Sequence, residues 1–124
     1  MTLKDLKNDR EITAIVSVSE EQIEMLGYTE HSIRHVSIVA KRAGELLKKL
    51  GYDEHTVELA EIAGYLHDIG NSVSRIDHAQ SGAILSYHLL TARGMDYKDA
   101  AQIMMAIGNH DETEGLPVSD IPAA

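Results

Sequence analysis

The sequence predicts an all-α fold, a compact helical bundle of about five main helices. Three observations carry this expectation. Apolar residues recur at every third or fourth position through most of the chain, the spacing that lines one face of a helix. The periodic segments open on Ser, Thr or Asp, whose side chains accept from the free amides of a first turn, and close on Gly, which allows the chain to reverse. Only one stretch is rich in β-branched residues, ITAIVSVS at 12–19, and it is short.

The elements follow in order. Ser19-Glu-Glu-Gln22 has the form of a capping box, in which the hydroxyl and the amide side chain satisfy free amides reciprocally. It opens a short helix expected to end at Gly27. Thr29 caps the next, whose apolar face is Ile33, Val36, Val39, Ala40, Ala43, Leu46, Leu47 and Leu50, with Gly51 as its stop. Asp53 opens a helix through Val57, Leu59, Ala60, Ile62, Ala63, Leu66 and Ile69 that Gly70 terminates. Asp77 opens another through Ala79, Ala83, Ile84, Leu85, Leu89 and Leu90, ending near Gly94. Asp96 opens the last through Ala100, Ile103, Met104, Ala106 and Ile107, ending near Gly108. Residues 1–124 read as a single domain, with 1–18 a peripheral N-terminal segment.

At 124 residues the chain is long enough to bury a core. It has no Cys, which excludes disulfides and thiolate metal sites. The net charge of −9 argues against general nucleic-acid binding and against an anionic membrane surface, since both demand clustered Lys and Arg. Five Tyr and no Phe or Trp leave little to stack bases on. The start, MTLKDLKNDR, is too charged for a signal peptide, and no apolar run approaches the roughly 20 residues of a membrane span. A cytoplasmic location is expected.

The histidines sort by position on these helices. His31 lies in a first turn, and His67 and Asp68 in a last turn. His78 opens a helix, and His110 follows the end of one. Short connections make the flanking helix pairs antiparallel. If the middle pair also reverses, His31, His67, Asp68, His78 and His110 converge at one end of the bundle. His55 and His88 fall elsewhere and read as structural. His35, one turn deeper than His31, reads as a partner orienting a ligand or as a core-facing imidazole. Taken singly, each histidine is an ordinary helix-end or surface residue; four imidazoles with one carboxylate are a stronger signal. Nitrogen and carboxylate donors without thiolate suit one or two divalent transition metal ions, Fe, Mn, Co, Ni or Zn, and not an all-oxygen Mg or Ca cage. Arg34 and Arg75 are the cationic neighbours in sequence that could meet an anionic substrate.

The series TEHSIRH (29–35), GYLHDIGN (64–71), HAQSGA (78–83) and AIGNHDE (106–112) resembles the HD-domain superfamily of metal-dependent phosphohydrolases, in motif order and in spacing. The resemblance covers about residues 20–124. It implies an all-α fold and hydrolysis of a phosphomonoester or phosphodiester, commonly of a nucleotide or another small phosphorylated metabolite, by a metal-activated water. It implies His31 as first ligand, His67–Asp68 as the defining pair, and His78 and His110 as the further ligands of a binuclear centre. Arg34 matches a frequent basic position.

Three departures stand beside the match. Asn71 occupies a position where binuclear members often carry a phosphate-contacting Lys. Asn109 replaces the first His of a paired motif. The family's last Asp ligand comes from a further helix, which would be expected to begin near SDIPAA (119–124), so a C-terminally truncated member is expected, with Asp111 or Asp120 as substitutes otherwise. Apolar surface left by such a truncation would favour a homo-oligomer. Alternative readings are a metal-binding or ligand-sensing module without turnover, a di-iron oxygenase of the same fold, and an interaction bundle whose histidines are incidental.

Overall fold

The computed structural model describes residues 1–27 and 33–110, apart from the side chains of Ile33 and Arg34. Six helices follow in order: α1 (Leu3–Lys7), α2 (Arg10–Met25), α3 (Ile33–Lys49), α4 (Glu54–Leu66), α5 (His78–Ala92) and α6 (Tyr97–Gly108), with a 3-10 turn at Ile69–Ser72 between α4 and α5. No strand occurs among the described residues. The all-α expectation holds, and ITAIVSVS lies within a helix.

That helix differs from the expected one. α2 starts at Arg10, where the Asp9 carboxylate accepts from the Ile12 amide at 3.0 Å. Ser19 therefore sits inside the helix and caps nothing; its hydroxyl donates to the Val16 carbonyl. Burial decides the outcome, because packing of an apolar stripe outweighs the modest propensity cost of β-branched residues. Leu6, Ile12 and Val16 are all at most 1 % exposed. Within residues 1–18, expected at the periphery, these three side chains join the core.

The other boundaries follow the caps more closely. Asp53 accepts from the Thr56 amide at 2.8 Å to start α4, and Asp96 accepts from Lys98 and Asp99 to start α6. Asp77 precedes α5 but makes no side-chain cap; its backbone is left-handed, with φ of 55°. At the other end of α5, Gly94 adopts φ of +89° and lets the Met95 amide reach the Leu90 carbonyl. Thr29 lies outside the described residues.

Helices α3 and α4 pack against each other, as do α5 and α6, and α4 also meets α6. Ile62, Tyr65, Leu66, Ile69, Leu90 and Ile103 lie at the centre, each no more than 2 % exposed. A second fastening joins distant parts of the chain. Arg93, just after α5, donates to both Asp9 oxygens and to Glu11 at the start of α2. The Arg93 hydrogen bonds, with help from the Ile12 amide, hold the Asp9 carboxyl down at about 2.

One contact positions the functional end of the bundle. Helix α4 stops at Leu66, a turn earlier than Gly70 would suggest, and the 3-10 turn lies directly on the first turns of α5. A Cβ on Gly70 would overlap the His78 carbonyl oxygen and come within 2.6 Å of the Gly82 nitrogen. A Cβ on Gly82 would lie 2.9 Å from the Gly70 nitrogen. Two glycines are what let backbone meet backbone here. Gly70→Ala is expected to lower the free energy of unfolding by about 3 kcal/mol, the upper part of the range for overpacking. Urea denaturation measures this, and an unchanged midpoint would show that α5 is not seated as described.

Candidate metal centre

The close of α4 delivers His67 and Asp68, and the 3-10 turn presses them toward the start of α5, which carries His78. His110 arrives from the end of α6. The Asp68 carboxylate, 6 % exposed, is the meeting point. Its Oδ1 lies 3.6 Å from His78 Nε2 and 3.6 Å from His110 Nε2, and its Oδ2 lies 3.0 Å from His67 Nε2. Ligand atoms of Asp68, His78 and His110 all fall within 4.8 Å of one another.

The far side of each ring is held in the same way. His67 Nδ1 donates to the Gly64 carbonyl at 2.6 Å, His78 Nδ1 to Arg75 at 3.2 Å, and His110 Nδ1 to Ile107 at 2.5 Å. Each acceptor is three residues back in the chain. A neutral imidazole has one N–H, and here the backbone carbonyl takes it. Nε2 of each of the three rings then faces the Asp68 carboxylate. Protonating every ring would place three positive charges around one negative charge, with ring centroids 5.3 and 5.4 Å apart. One divalent cation resolves the same arrangement. Two ligand atoms each about 2.1 Å from a metal lie roughly 3 to 3.5 Å apart, close to the spacing at Oδ1. Orientation of ligating imidazoles by backbone carbonyls is also the usual support of a metal site. The residues fit a divalent metal.

The electrostatics couple Asp68 to these imidazoles. Burial alone would raise the Asp68 carboxyl, but hydrogen bonding and charge from His110 and His67 hold it well below the usual carboxylate range. Burial opposes charging of His67, and Asp68 outweighs it, so this ring is shifted up. His78 goes the other way, chiefly through burial.

A match to the family model described as HD domain spans residues 30–121. The chain belongs to the HD-domain family. No curated protein and no solved structure matches the chain. HD domains bind divalent metals and are typically metal-dependent hydrolases, and the Asp–His cluster of this HD domain falls inside the matched region.

Of the remaining sequence candidates, His31, Asp111 and Asp120 lie outside the described residues, as does the Arg34 side chain. Arg75 is beside the centre through its own carbonyl, and its guanidinium donates to Asn71 Oδ1 at 3.1 Å. Asn71 is 2 % exposed, and its amide also donates to the Asp68 carbonyl. Both ends of Asn71 are therefore engaged within the loop. His55 pairs with Asp99 away from the cluster, and His88 packs edge-on against Tyr87. An apolar pocket between α3, α4 and α6 includes His67 and His110 in its lining, with Val39, Ala43, Ala63 and Ile107. No helix among the described residues is long and apolar enough to cross a membrane.

Glu20 was not foreseen. It stands on α2, 5 % exposed, and among the described residues neither carboxylate oxygen has a hydrogen-bond partner. The signal was present, since Ile12, Val16, Glu20 and Ile23 repeat at helical spacing, but the capping-box reading placed Glu20 at the opening of a short helix. Burial first, and the Asp68 charge second, push its carboxyl up to about 7 against the pull of His67. The ordinary value is 4.5, so the folded protein holds this proton more tightly than the unfolded chain does. The stability tied to it is complete below that value and is lost as pH rises through about 7. In chelator, Glu20→Gln is expected to gain on the wild type by about 3 kcal/mol between pH 4.5 and pH 8, read by urea unfolding across that range. A difference that stays constant with pH would refute the assignment.

Proposed function

We propose that this HD domain is a metal-dependent phosphohydrolase that cleaves a phosphomonoester or phosphodiester of a small metabolite, a nucleotide being the leading class. The observation that carries the reading is the Asp68 carboxylate faced by the Nε2 atoms of His67, His78 and His110, whose opposite nitrogens are all tied to backbone. That donor set is what a catalytic divalent metal needs. Bound there, such a metal supplies an acidified water and positive charge for the phosphoryl oxygens.

The two oxygens of Asp68 divide the centre. Oδ1 serves the His78 and His110 side, and Oδ2 serves the His67 side, where the family resemblance adds His31. Asp68 would hold metal with His78 and His110 on one side and with His67 on the other. Iron, manganese, cobalt, nickel and zinc all match these nitrogen and oxygen donors.

Arg75 is the cationic side chain beside the described part of the site, and Asn71 orients it through their hydrogen bond. Arg34 is a second phosphate contact by the family pattern. In the reaction the water oxygen joins phosphorus, the ester P–O bond breaks, and the leaving oxygen takes up a proton. Positioning and charge neutralisation supply most of the rate gain in such transfers. A net charge of −9 supports a small substrate held by these few cations over a nucleic acid or a membrane surface.

The test is a panel of phosphate esters assayed with Mn²⁺, Zn²⁺ or Fe²⁺. Phosphate release by the wild type is expected, with loss in chelator. His78→Ala is expected to lower it on the order of 100-fold or more and to reduce bound metal in parallel. Release that persists in chelator would defeat the reading. Stoichiometric metal without turnover would favour a sensing module, and iron with substrate-dependent oxygen uptake would favour an oxygenase.

A further inference from the structure

Among the described residues, the buried side-chain atoms that lack any hydrogen-bond partner are Ser86 Oγ and both oxygens of Glu20. An unpaired Ser hydroxyl is a small cost. An unpaired carboxylate is a large one, because an ionised group taken out of water without a partner loses its solvation and gains nothing in return. Glu20 also stands near a second carboxylate, Asp68, and among the described residues it is His67 that acts on it favourably. Helix α2, which carries Glu20, packs on the 3-10 turn that follows Asp68. Nothing about the fold of α2 requires an acid there; Val16 and Ile23, one turn before and after, are simply apolar.

The charge pattern is unbalanced in one direction. Glu20 and Asp68 bring two carboxylates into a buried volume, and of the two it is Glu20 that has no hydrogen-bond partner among the described residues. We propose that Glu20 is a carboxylate of the metal centre, its negative charge compensated by a divalent cation held on the His67 side of Asp68. The inference rests on the metal-dependent reading above and adds to it a residue from the N-terminal helix. It also gives the His67 side an acidic group within the described residues, in addition to Oδ2 of Asp68.

The experiment is Mn²⁺ binding to the full chain, followed by the electron paramagnetic resonance signal of free Mn²⁺. Glu20→Gln keeps the volume and removes the charge. It is expected to weaken Mn²⁺ binding about 10- to 100-fold, the range for groups that support metal ligands. Its metal-induced rise in Tm should shrink accordingly, while its Tm in chelator is no lower than that of the wild type. Ser19→Ala, a buried neighbour on the same helix, is expected to leave the Mn²⁺ affinity unchanged and so separates charge from packing. Glu20→Gln binding within about twofold of the wild type would overturn the proposal, since a Glu buried as the neutral acid is well mimicked by Gln. A wild type that takes no Mn²⁺ overturns this proposal and the hydrolase reading together. Weakened Mn²⁺ binding in Glu20→Gln with no phosphate release from any ester defeats the hydrolase reading and upholds Glu20.

Discussion

The close approach of Gly70 to Gly82 is the constraint on which the functional end of this bundle depends. The chain must leave α4 immediately after His67 and Asp68, yet keep both residues buried and aimed at the next helix. A 3-10 turn lying backbone-to-backbone on α5 does this in four residues. It places His78 within reach of Asp68 with no side chain between the two segments. The tightness matters because protein interiors do not yield gradually; a methyl group at either glycine would separate the two halves of the site.

Around that contact the chain arranges its polar groups in layers. Backbone carbonyls of Gly64, Arg75 and Ile107 face the outer nitrogens of three imidazoles and leave the inner nitrogens directed at Asp68. The centre therefore gathers three imidazoles around one carboxylate, and Glu20 adds a second buried acid near it. A core built for stability alone would not collect such groups, because each loses solvation on burial. The fold tolerates them since a large apolar core and the Arg93–Asp9–Glu11 fastening, at the far end of α5 from His78, hold α2 and α5 in place.

Much of this was legible in the chain itself. Helical periodicity and terminal glycines located α3 to α6 closely, and Asp53 and Asp96 cap where a local reading puts them. Asp77 shows the limit of that reading. An Asp before an apolar helix is expected to cap by its side chain, but here the tight turn imposes a left-handed backbone and no cap forms. Ser19 shows another limit, because a capping box and a helix interior share residue types and only the earlier Asp9 cap separates them. Glu20 was hidden by the same ambiguity.

The sequence by itself determined the helix class, the polar ends of each segment and the residue types that converge, since these follow from local periodicity and capping chemistry. It also carried the motif order that marks an HD domain. Only the tertiary structure decided that Leu6, Ile12 and Val16 are core, that Asn71 is buried, and that a carboxylate from α2 is buried near Asp68. Those outcomes depend on which faces of distant helices meet, and burial across such contacts outweighs what any short window of sequence prefers.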